Sequence, residues 1–227
     1  MPIIFCVLLG NPVLAEKPGS QKLDLGPAKV AFIGNVKSSD FDSRFLPFYK
    51  KVAQCEKCEL VNLTPYTESS EVDFEKLWPT VLGVSSEYSI IYLHWNEPTN
   101  KKTEVLVDQL NDKLSHSVVL VGYAGQPKTT GPTIPLNKTI LGQIHQALIV
   151  GELTERERLL PQLFWGPEMI TAVKPPREYL EQGLSPLLFV STLAKKVHQR
   201  KSQDWPDHLR LRKSKNKKLW PEINDLF

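Results

Sequence analysis

Cysteine is scarce in this chain, with three in 227 residues, and Cys6 stands far from the pair Cys55 and Cys58. No second cysteine pair and no close histidine pair exists, so a four-ligand zinc site has no donors and no metal is expected. Histidine is as sparse. The five are His94, His116, His145, His198 and His208, and none is followed by glycine. Glycine, at 12, is outnumbered by proline, at 18, which points to many loops and edge connections. No apolar run approaches the roughly 18 residues needed to cross a bilayer. With a mean hydropathy of -0.25, a polytopic membrane protein is excluded. Hydrophobic residues at 41% and charged residues at 23% are globular proportions, so a mostly disordered or fibrous chain is excluded too. There is no internal repeat.

Charge is unevenly spread. The net charge is +3, yet Lys195 to Lys218 alone carries ten Lys or Arg against Asp204 and Asp207, a local +8. The remainder holds 18 basic and 23 acidic residues, a balance of -5. The basic character therefore belongs to the C-terminus. Two readings fit 195–218: a solvated helix end and tail, or an electrostatic contact to anionic lipid, an envelope polymer or an acidic partner. No DNA- or RNA-binding motif is present, and nucleic acid is not expected as a partner.

At the other end, MPIIFCVLLGNPVLA reads as a signal peptide over 1–15, with small or apolar residues before a cleavage point at Glu16. Its first residues carry no Lys or Arg, and a buried N-terminal strand is the competing reading. Cys6 sits too early for a usual lipoprotein attachment site. The expectation is an exported bacterial protein, periplasmic or secreted, with a leader over 16–28, a folded domain over 29–199 and a basic tail over 200–227. In an exported protein Cys55-Glu56-Lys57-Cys58 suggests a short local disulfide. Free thiols are the alternative, and a redox or metal pair a lesser one. A redox pair is expected at a helix N-terminus after a strand, whereas this one follows a helical pattern and precedes a strand.

Short apolar runs alternate with amphipathic stretches. KVAFI (29–33), Glu59 to Leu63, YSIIYLHW (88–95), SVVLVGY (117–123), Gln146 to Val150 and Glu168 to Val173 read as strands. Helical spacing runs from Asp40 to Gln54, although Pro47 argues for a late start, and again over Asp73 to Val84 and Thr103 to Leu114. Ser185 to Gln199 reads as a helix with Ser185 at the N-cap and Pro186 at N1. Near-continuous apolar strands separated by helices predict an α/β, three-layer αβα sandwich with a mainly parallel sheet. Ligand sites then lie beyond the strands' C-terminal ends, in loops starting at Gly34, Thr64, His94, Ala124 and Gly151.

An ordered series of blocks follows: SIIYLHWNEP (89–98), VVLVGYAGQ (118–126), ALIVGEL (147–153), FWGPEMITAVKPP (164–176) and GLSPLLFVSTLA (183–194). In order and spacing it resembles the subtilase family of serine peptidases, from about Val30 to Val197. The resemblance implies a subtilisin-like sandwich and no cofactor. It places Ser185 at the nucleophile position and Gln126 where the family has its oxyanion-hole Asn. The strand end Leu93, His94, Trp95 and Asn96 is placed along the substrate cleft. The family's catalytic Asp position is held by Gly34, and the helix that would begin with the catalytic His has none around Ser39 to Arg44. His94 is the sole candidate for a displaced base. A serine without a base is a poor nucleophile. The expectation is a subtilase-like domain that has lost efficient peptidase activity and binds a peptide or protein. The alternatives are a divergent active serine hydrolase using Ser185 and an unrelated flavodoxin-like domain. Against the latter, no Gly-rich phosphate loop follows the first strand and no acidic cluster gathers at the strand ends.

Overall fold

A computed structural model describes residues 28–84, 87–114, 118–125, 134–161, 163–180, 182–199 and Leu209. The signal-peptide stretch, the leader up to residue 27, Gln126 and the basic stretch beyond residue 199 other than Leu209 lie outside the described residues.

Six strands form one parallel sheet: β1 (Ala28–Gly34), β2 (Cys58–Asn62), β3 (Ile90–His94), β4 (Val119–Tyr123), β5 (Ala147–Glu152) and β6 (Met169–Val173). Their order is β2-β1-β3-β4-β5-β6. The central strands are buried on both faces, which accounts for their near-continuous apolar character. Val30 to Ile33, Ile90 to Leu93 and Ala147 to Val150 are each at most 1% exposed.

Helices cover both faces. The first connection is built from α1 (Ser38–Asp40), a π-helical turn (Phe41–Phe45) and α2 (Leu46–Ala53). The helical backbone therefore starts well before Pro47, contrary to the late start expected. The π turn widens the ladder just ahead of the proline, whose ring falls in the first turn of α2 instead of a regular helix interior. Next come α3 (Phe74–Val84) and α4 (Lys101–Lys113). A capping box starts α4: Asn100 Oδ1 accepts from the backbone N–H groups of Lys102 and Thr103, and Thr103 Oγ1 accepts from that of Asn100 at 2.7 Å. The short α5 (Ile140–Gln143), not expected from the sequence, precedes β5, and α6 (Ser185–Gln199) ends the domain.

On one face α2 packs against α6, and α6 lies across β1, β5 and β6. On the other, α3, α4 and α5 form a second layer. Parallel register aligns Phe32 with Tyr92 and Gly34 with His94, so these side chains share a face. Phe32 there meets the rings of Phe41 and Phe45 at 4.9 and 5.2 Å. A Cβ on Gly122, of opposite parity, would meet Leu141 of α5.

Candidate functional site

The strand order reverses direction between β1 and β3. In open parallel sheets the crevice beyond the C-terminal ends of such a pair is where ligands bind. Here that crevice lies at Gly34 and His94, with Tyr123 at the end of β4 beside it. The roof is the loop entering α6. Gly183 has φ 72°, a backbone state open to glycine, and a Cβ there would stand 3.1 Å from His94 Cε1. Glycine lets the loop close directly onto the imidazole, bringing the start of α6 to the ends of β3 and β4.

Ser185 is the first residue of α6, and its neighbour Leu184 accepts the first-turn bond from the Leu187 N–H at 3.0 Å. The expected side-chain N-cap is not formed. Ser185 is 0% exposed, and its Oγ has no hydrogen-bond partner among the described residues. The hydroxyl faces the interior, where it caps nothing.

His94 is half-buried. Its ring stacks on Tyr123, with centroids 4.8 Å apart and planes 2° apart, and meets the edge of Phe45 at 4.8 Å. Nδ1 pairs with the Tyr92 hydroxyl at 2.9 Å. Burial lowers the His94 pKa to about 3, and the Arg44 guanidinium pushes in the same direction. Burial also raises the Tyr92 phenol, so a neutral phenol faces a neutral imidazole. Such an imidazole is a feeble base, far from the pKa near 7 that general base catalysis favours. No hydrogen bond joins His94 to Ser185.

This pKa carries a sign. An unfolded histidine titrates near 6.5, so between there and about 3 the unfolded chain binds a proton that the folded chain refuses. Stability is present above pH 6.5 and falls as pH drops through that window. Urea unfolding at pH 7 and pH 4.5 should show the native protein losing about 1–2 kcal/mol more than His94→Phe, the figure being discounted for partial exposure. Equal losses would place the acid sensitivity elsewhere.

Gly34, which the resemblance set against the family's Asp, donates its N–H to Thr64 Oγ1 at 3.1 Å. A Cβ on Gly34 would lie 2.8 Å from His94 Cβ and 3.2 Å from the His94 carbonyl oxygen. Glycine and histidine face each other in register, and the bulk of one requires the absence of the other.

The proposed cleft segment divides. Leu93 is wholly buried between β1 and β4. Asn96 is 6% exposed and its amide is spent: Nδ2 donates to Thr139 Oγ1, and Oδ1 accepts from the N–H groups of Glu97 and Leu141. It ties the end of β3 to α5. Trp95 is half-buried against the core, with Trp78 at 5.1 Å and Phe74 at 5.8 Å, and Phe74 is 43% exposed. Gln126 lies outside the described residues. Sequence reasoning missed Tyr92, whose hydroxyl pairs with His94, and Tyr123, whose ring stacks on it; both read as ordinary strand apolars. Among the described residues, no group of three or more His, Cys, Asp or Glu could hold a metal ion.

The sequence matches no protein-family model and no curated protein. Strand order 2-1-3-4-5 is shared by flavodoxin-like sheets, so topology alone does not separate the two architectures. Solved structures do. A cold-adapted subtilisin-like serine proteinase aligns over 82% of this chain and 82% of its own, with a TM-score of 0.58 at 9% identity. A lanthipeptide protease aligns over 83% of this chain and 80% of its own, with a TM-score of 0.59 at 13% identity.

The fold is subtilisin-like. The subtilisin-like sheet places β1, β3 and β4 side by side, with α6 entering over their ends, as the order of the sequence blocks requires. At these identities the likeness speaks to the scaffold. Chemistry has to be argued from the side chains.

Proposed function

We propose that this chain is a non-catalytic subtilisin-like domain, exported from the cell, that binds a peptide or protein. The observation that carries the reading is the burial of Ser185: an acyl-transfer nucleophile has to meet its substrate, and this hydroxyl is sealed under its own helix start. Two further features support it. Gly34 supplies no carboxylate and leaves no room for one. His94 is neutral, weakly basic and held by Tyr92. Without a base, serine attack loses several orders of magnitude.

Binding is assigned to the surface around Trp95 and Phe74, where the end of β3 presents aromatic area. The apolar start of the chain supports export, and the charge of 195–218 supports a contact with an anionic envelope surface. The test is labelling of the purified protein with a fluorophosphonate probe, beside Ser185→Ala. Neither should label. The variant should be as stable as the native protein or up to about 1 kcal/mol more stable, because it removes a buried hydroxyl that makes no bond. Labelling that disappears in Ser185→Ala would overturn this reading in favour of a serine hydrolase.

A further inference from the structure

We propose that the Cys55–Cys58 pair is a thiol–disulfide exchange site, open to a partner dithiol, and that the fold does not depend on its bond. The site lies at the opposite end of the sheet from His94 and is independent of the function proposed above.

The two Sγ atoms are 2.07 Å apart, a disulfide between residues three apart in sequence. The turn that it spans is already closed by the Cys58 N–H donating to the Cys55 carbonyl at 3.1 Å. It is also clamped from both sides. Upstream, α2 ends at Gln54 in the left-handed region, with φ 43° and ψ 41°. Downstream, Cys58 opens β2 and pairs in register with Ala28 of β1. Geometry that holds without the bond gains little from it. A disulfide stabilises mainly by the loop that it closes, and a four-residue loop is near the bottom of that scale. The linkage runs both ways: a fold that gains little from the bond also protects it little against reduction.

Access is the second requirement. Both cysteines are half-buried. They line an open groove of about 830 Å³ between the end of α2 and the edge strand β2, walled by Leu46, Ala53 and Leu60. An incoming thiolate can therefore reach a sulfur without the sheet opening. Surface-accessible disulfides closing short loops are the labile class, as opposed to buried staples.

The exchange balances with a dithiol as reductant. One partner thiolate attacks a sulfur of the pair, and the S–S bond breaks. The other cysteine leaves with the electron pair and takes up a proton. The partner's second thiolate then attacks the mixed disulfide, releasing the remaining cysteine as a thiol. The chain is reduced by two electrons and two protons, and the partner is oxidised to its disulfide.

The experiment uses the oxidised full chain and dithiothreitol, with free thiols counted by alkylation and mass, and with circular dichroism recorded on the same samples. Reduction of the native protein should run within about tenfold of its rate in denaturant, with the folded spectrum unchanged, and glutathione disulfide should restore the bond. Cys58→Ser should form a mixed disulfide with glutathione at Cys55. Reduction a thousandfold slower than in denaturant, or only together with unfolding, would overturn the proposal. So would a protein whose two thiols stay free in excess glutathione disulfide.

Discussion

Phe32→Ala should cost about 3–5 kcal/mol in unfolding free energy, the largest loss expected from a single truncation near the crevice. Phe32 is 0% exposed, and its ring lies among Phe41, Phe45, Tyr92 and His94, with centroid separations from 4.9 to 6.1 Å. Two other segments meet on this β1 residue: the π turn and β3. Those segments are held by different parts of the fold, so they cannot both shift to fill the space that alanine would leave. Equilibrium denaturation in urea measures the loss. A cost below about 1.5 kcal/mol would mean that the cluster repacks freely and that the floor of the crevice is soft.

Gly34→Asp should cost stability and confer no serine reactivity. The substitution places a carboxylate at the end of β1, but its Cβ would land 2.8 Å from His94 Cβ across a fixed register. Overpacking of this kind costs about 1–3 kcal/mol. A carboxylate buried here adds a desolvation penalty of its own. The total should reach about 3–5 kcal/mol with no gain in fluorophosphonate labelling. Gly34→Ala separates the steric part, and pairing it with His94→Gly should recover most of that part, because the two positions share one volume. If Gly34→Ala is neutral, the glycine is incidental and the crevice has room for a side chain at this point.

Much of the scaffold was legible in the sequence because parallel strands covered on both faces must be apolar throughout. The runs around Val30, Ile91, Leu120 and Leu148 meet that demand with no polar interruption. Helix starts were less legible. Pro47 reads as a barrier only if the helix around it is regular, and the π turn at Phe41–Phe45 removes that condition. Ser185 before Pro186 has the spelling of an N-cap, yet the cap is a property of side-chain direction, and here the hydroxyl turns inward. Asn96 looked like a cleft residue from its place after β3. Its role depends on Thr139 and Leu141, more than 40 residues away, and no local pattern reports such a partner. The pairing of Tyr92 with His94 follows from strand parity and was in principle readable; its consequence for the imidazole depends on the burial that α6 and the π turn impose.

The roof of the crevice is also the last part of the domain to be made. The face bearing Phe32, Tyr92 and Tyr123 is covered first by the π turn and α2 and completed by α6, which spans Ser185–Gln199 and lies across β1, β5 and β6. During synthesis all six strands are complete before that helix exists. For that interval the part of the face that α6 covers, along β1, β5 and β6, stays open, an apolar surface that chaperones hold and that aggregates when they do not. Closure of that face therefore waits on α6, the last of the described helices.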